Sequence, residues 1–140
     1  MILLINIGGI NMKLKLGELN IVLESLNKLI DKEIPIKTSY KLSKLTKKLI
    51  DEHSIYEENR MKLINKYAEK DADNNIIINK KDNSTTMIGE NKINFNKEFT
   101  ELINIEMELE FEKIKLDDLG EISISPRDLL YLNFLFNEND

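Results

Sequence analysis

The chain has no cysteine and no tryptophan, a single histidine, two prolines and five glycines. Without cysteine there is no disulfide and no thiolate nucleophile, and a reducing compartment is the natural setting. One histidine, His53, cannot build a zinc site unaided, although a carboxylate one turn away, such as Glu57, could join it. Gly17, Gly89 and Gly120 stand alone, and Gly8-Gly9 does not open a helical pattern, so no phosphate-cradling loop is present. No apolar run is long enough to span a bilayer. Alanine occurs only at positions 68 and 72 while Ile, Asn and Lys abound, the bias of an AT-rich, low-GC bacterial or phage coding sequence.

What is present is a 140-residue chain, 41% hydrophobic and 32% charged, with a net charge of −5, so a single globular domain with a core of its own is expected. The first eleven residues stand apart. Met1 to Ile7 is apolar but lacks a basic flank and is too short for a signal peptide. Gly8-Gly9 can be encoded as a ribosome-binding sequence, with Ile10-Asn11 as spacer before Met12. We therefore read residues 1–11 as a translated leader or disordered N-terminus, and 12–140 as the domain. A genuine first strand is the alternative.

Lys13 to Leu16 alternates polar and apolar, the pattern of a half-buried strand. Leu19, Val22, Leu23, Leu26, Leu29 and Ile30 recur at helical spacing and predict a helix over 18–32. Ile34-Pro35-Ile36 ends it. A second helix should start near Thr38 or Ser39, either able to cap it, and run to about residue 70. Its apolar seam is Leu42, Leu45, Leu49, Tyr56 and Leu63, interrupted by Glu52 and Asn59. That seam outreaches a first helix half its length, so Leu49, Tyr56 and Leu63 are candidates for an interface between copies.

Asp71 to Asn75 supplies a turn, and Ile76-Ile77-Ile78 a short strand with Met87-Ile88 or Ile93 as hairpin partners. Asn94 or Asn96 should cap a third helix that buries Phe95, Phe99, Leu102, Ile103 and Leu109. Residues 111–116 are ambiguous between helix and strand. Ser125-Pro126-Arg127-Asp128 is a strong helix start, with Ser at the cap, Pro at the first position and an acid at the third. The last helix should cover 126–137. The fold class is mainly α with a small β component: a long central helix, antiparallel helical packing, and a short hairpin or small sheet.

Candidate chemistry is sparse. Asp71, Asp73 and Asn75 match the first positions of a calcium loop, but Ile76 stands where glycine is needed, so a helix-ending Asx turn explains them better. Glu106, Glu108, Glu110 and Glu112 alternate as in a strand, and paired carboxylates can do acid–base work, yet no activated nucleophile accompanies them. No catalytic set, metal site or cofactor is expected. The organised feature is Lys37, Lys41, Lys44 and Lys48, spaced four, three and four residues apart on one helix face, with Tyr40 beside them and no acid from Ile34 to Ile50. Such a row can hold phosphate oxygens, solubilise the helix, or meet the acidic stretch Glu98–Glu121 of another copy. The negative net charge argues against extended nucleic acid. The candidate ligand site is Lys37, Tyr40, Lys41 and Lys44, joined by Arg60 from a neighbouring subunit.

Several pieces occur in a telling order: Tyr40-Lys41-Leu42-Ser43-Lys44, Tyr56-Glu57-Glu58-Asn59-Arg60, Lys66-Tyr67-Ala68-Glu69-Lys70-Asp71, Leu116-Asp117-Asp118-Leu119 and Ile124 to Leu129. In this order they resemble a family of small uncharacterised proteins of tailed bacteriophages and prophages, over about residues 13–137. Relatives tend to carry glycine where this chain has Ala68 and Asn74-Asn75. The resemblance implies phage origin and a helical αβ fold, and no reaction. The resulting expectation is a non-catalytic, oligomeric, phage-encoded binding protein in the cytoplasm of the bacterial host. As a counter-defence factor it would sequester a host protein or a small nucleotide signal. A morphogenesis protein, such as a tail-assembly chaperone or minor virion component, is the alternative.

Overall fold

The computed structural model describes residues 2–6 and 9–136, with side chains described from residue 11 onward. A three-stranded antiparallel sheet has the order β1 (Ile2–Asn6), β2 (Gly9–Lys15), β3 (Glu106–Phe111). It packs on α1 (Leu19–Ile30) and α2 (Ile36–Tyr67), while α3 (Glu90–Ile103) lies along α2 and α4 (Pro126–Leu132) along α1. The fold is mainly helical with a small sheet and a long central helix, as the sequence pattern predicts.

Register explains the sheet. Met12 pairs with Leu109 and Leu14 with Met107, and all four side chains are buried. The alternate pairs, Lys13 with Glu108 and Lys15 with Glu106, put opposite charges side by side on the outer face. A one-residue slip would expose the apolar set and bury the charges, so the register is strongly specified. Of the residues read as a leader or disordered N-terminus, 2–6 and 9–11 take strand geometry, and Met1, Ile7 and Gly8 lie outside the described residues. Ile2–Asn6 pairs with β2 along its length, and Gly9 to Asn11 extend β2 itself.

α2 departs from expectation at its start. It begins at Ile36, because Pro35 holds an extended backbone (φ −49°, ψ 139°) and its carbonyl accepts from the Ser39 N–H at 2.9 Å. Thr38, a candidate cap, is buried instead. The helix ends at Tyr67, and the Asx turn follows: the Asp71 carboxylate accepts from the N–H of Asp73 and of Asn75, at 3.0 and 2.9 Å. Asn74 sits at φ 65°, which asparagine tolerates. Ile76 to Ile78 make no strand. Ile76 bridges Lys70 and Ile78 bridges Thr85, so the expected partners Met87-Ile88 and Ile93 do not serve. Ile93 belongs to α3, which starts at Glu90 behind Gly89 (φ 60°) rather than at an asparagine cap. Leu109 is buried from β3, outside that helix.

The interface candidates fare differently in one chain. Leu49 is 0% exposed, a core residue that no second copy can reach. Tyr56 and Leu63 are half-buried and pack against the core. The physical reason is α3, which covers the half of α2 that α1 cannot reach. Its Phe95 and Phe99 stack at 5.5 Å, and Phe95 meets Tyr67 edge-on at 6.5 Å.

At the other end, Ser125 caps α4, accepting from the Asp128 N–H and donating its hydroxyl to the Asp128 carboxylate at 2.7 Å. α4 stops at Leu132, earlier than expected, and a 3-10 turn over Asn133–Leu135 carries Leu135 inward. Asp128 is buried, and it also accepts from Ser25 (3.1 Å) and Lys28 (3.2 Å) of α1. The hydroxyl of Ser125 first, and then Lys28 and Ser25, hold its carboxyl below the usual carboxylate range against the opposing effect of burial.

Three outcomes follow from this packing. Leu49→Ala should cost about 2–5 kcal/mol, by the same amount at every protein concentration. A loss that grows on dilution would place Leu49 in an interface after all. Asp128→Asn should melt below the parent at pH 7. Because the folded pKa is depressed, the carboxylate's contribution is present above the unfolded value of about 3.9 and is lost as pH falls through the folded one, so the two melting curves should converge only as pH falls below the unfolded value. A chain beginning at Met12 keeps the buried β2–β3 pairs and should still melt cooperatively, at a lower temperature than the full chain; circular dichroism reads both quantities.

Candidate functional site

The lysine row lies on the N-terminal half of α2, where its apolar neighbours Leu42 and Leu45 turn into the core. Opposite stand the end of β3 and the segment that follows it. Ile114 there donates its backbone N–H to the Leu135 carbonyl at 2.8 Å, so the chain's C-terminal turn is laced to the same wall. Between these walls runs a groove of about 780 Å³, a size typical of ligand sites. Its floor is apolar: Leu42, Leu45, Phe111, Ile114 and Leu135. Its α2 wall carries Lys37, Tyr40, Lys41, Lys44 and Lys48, with Ser39 among them, and its β3 wall carries Glu110 and Glu112.

The structure thus brings four of the five candidate ligand residues, Lys37, Tyr40, Lys41 and Lys44, into one concavity. Arg60 is not among them. It lies on the same helix about 18 Å beyond Lys48 and grips Glu57 through two guanidinium nitrogens, at 2.8 and 3.0 Å. That grip holds the Glu57 carboxyl below its ordinary value. His53 is half-buried with its ring 5.9 Å from that of Tyr56. The Tyr56 hydroxyl is pushed up by burial and then by the Glu57 charge.

The lysines differ in how they are engaged. Lys41 pairs with Glu112 at 3.2 Å across the groove. Lys48 donates to the Glu110 carbonyl at 3.0 Å, occupying an acceptor on the open edge of β3. The acidic stretch expected to meet the lysine face from another copy therefore meets it within one chain. Lys44 sits 5.6 Å over the Tyr40 ring. Among the described residues neither Lys37 nor Lys44 has a carboxylate partner.

Sequence reasoning did not find the floor or the Glu wall. Alternation in Glu106 to Glu112 signals an edge strand with outward carboxylates, but nothing local says which helix that edge faces. A second polar cluster, Ser25, Lys28, Ser125 and Asp128, holds a hydroxyl, an ammonium and a carboxylate together. Both hydroxyls donate to the carboxylate that Lys28 also grips, so the group clamps α4 to α1 and presents no activated nucleophile. Among the described residues no cluster of three His, Cys, Asp or Glu side chains is placed to hold a metal ion, and no helix is long and apolar enough to cross a membrane. Comparison with known proteins finds no matching family model, no similar curated protein and no similar solved structure.

Proposed function

We propose that this protein is a non-catalytic binding protein whose working site is the groove between α2 and the end of β3, and that it takes a small anionic ligand. The observation that carries this reading is the meeting of two ammonium groups without a carboxylate partner among the described residues, Lys37 and Lys44, with an apolar floor in one concavity. On an open helix face such charges would be screened by water and salt. Beside an apolar floor they act in a lower dielectric and on a positioned ligand. Together with the resemblance to small phage proteins, the groove supports a sequestering role in the cytoplasm of a bacterial host during infection, counter-defence being its form.

The self-association belonging to this proposal cannot use Leu49. It would use Ile50, Ile55 and Met61, exposed apolar side chains of α2 that lie outside the groove. A second reading, a phage assembly protein, is favoured by the polar excursion between α2 and α3, where Ile77, Ile78 and Ile88 are exposed side chains with the look of a protein contact.

Native mass spectrometry of the purified protein after exposure to infected-cell lysate tests the groove. The wild type should emerge with a retained small molecule, and Lys37→Glu/Lys44→Glu should not. Each charge-assisted hydrogen bond lost is worth about 1.5–3 kcal/mol, tenfold or more in Kd. Both positions are exposed, so the double variant should melt like the parent. A wild type that emerges without an adduct, or a double variant that keeps it, overturns the reading.

A further inference from the structure

Resting on the groove reading above, we propose that the ligand is a free, single-chain amphiphilic anion: an unbranched alkyl or acyl chain ending in a phosphate or carboxylate. The floor is aliphatic apart from Phe111, built from Leu42, Leu45, Ile114 and Leu135 around it. A nucleotide base would ask for flat aromatic partners, and the groove offers few. Tyr40 is 64% exposed and has the Lys44 ammonium over its ring. Phe111 is held edge-on by Phe134 at 5.4 Å and 84°. No two rings face each other across the groove, while flexible methylenes can fill an irregular leucine-lined floor without a stacking partner.

The head group is set by the rim. Lys37 and Lys44 are two helical turns apart, about 10 Å along one face, and their charges are unspent among the described residues. Lys41 and Lys48 are already engaged with Glu112 and the Glu110 carbonyl. Charge is therefore free on the α2 rim and absent from the floor, the polarity of an amphiphile lying with its chain down. A membrane leaflet would offer the same head groups. The site is a cleft rather than a flat face, however, and its second wall bears Glu110 and Glu112, which an anionic leaflet would repel. A monomeric amphiphile avoids both conflicts.

Isothermal titration with dodecyl phosphate below its micelle concentration tests this, beside octyl phosphate, inorganic phosphate and AMP. Each buried methylene should tighten binding about threefold to fourfold, so the dodecyl compound should bind one per chain, on the order of 100-fold tighter than the octyl. Ser39→Trp, which fills the groove from its half-buried place on the α2 wall, should abolish dodecyl phosphate binding without lowering the melting temperature. Lys37→Glu/Lys44→Glu should weaken it tenfold or more. AMP binding as tightly as dodecyl phosphate would overturn the alkyl class and leave the groove reading standing. Dodecyl phosphate binding that survives Ser39→Trp, or tighter Lys37- and Lys44-dependent binding to phosphatidylglycerol vesicles, would overturn it too. Absence of binding by all four compounds refutes the proposal, and if the lysate adduct is also absent the groove reading falls with it.

Discussion

The length of α2 is the constraint on which the rest of the structure depends. Thirty-two residues make a helix about 48 Å long, more than one short helix can cover. An uncovered apolar stripe of that length would be a liability in water. The chain answers in two halves. α1, the sheet and the C-terminal turn cover Leu42, Leu45 and Leu49, and α3 covers Tyr56 and Leu63. α3 can reach that place because the Asx turn at Asp71 reverses the chain and the excursion before Gly89 returns it alongside α2.

Much of this was legible because the signals are local. The 3.6-residue period of Leu19 to Ile30, the alternation of Lys13 to Leu16, and the Ser125-Pro126 start each fix a segment within a few residues. Asp71 was legible as an Asx turn for the same reason. What misled was local chemistry with a competitor nearby. Thr38 and Ser39 look like caps, but Pro35 pre-sets an extended backbone and presents its carbonyl one turn earlier, so helix begins at once. Asn94 and Asn96 look like caps, but Gly89 adopts φ 60° at no steric cost and starts the helix first. Leu49 looked like an interface residue because a seam shows only that something covers it, not whether the cover is the same chain.

The lysine face shows the same limit. Its spacing predicts one helix face, and that holds for any α-helix. Whether a face is a solvated surface or the wall of a cleft depends on what stands across from it, here Glu112 more than sixty residues away in sequence. The net charge of −5 conceals this. Five of the twenty basic residues, Lys37, Lys41, Lys44, Lys47 and Lys48, gather in the first half of α2 with no acid among them, while the others are interspersed with acids along the chain. The groove is thus a local basic rim in an acidic protein, a distribution suited to a small ligand and poorly suited to a long polyanion.

The floor of that groove is not independent of the far side of the molecule. Leu135 reaches it from the 3-10 turn that follows α4, and the Leu135 carbonyl fixes the Ile114 backbone beside it. The position of α4 is set in turn by Asp128, which takes hydrogen bonds from its own cap and from two residues of α1. A buried carboxylate gripped by three donors, Ser25, Lys28 and Ser125, has few alternatives, so α4 is held in one place. The clamp therefore orders the aliphatic floor although none of its side chains lines the groove. A ligand lying on Leu135 and Ile114 would pack against a surface already organised before it arrives, and little ordering entropy would be left to lose on binding.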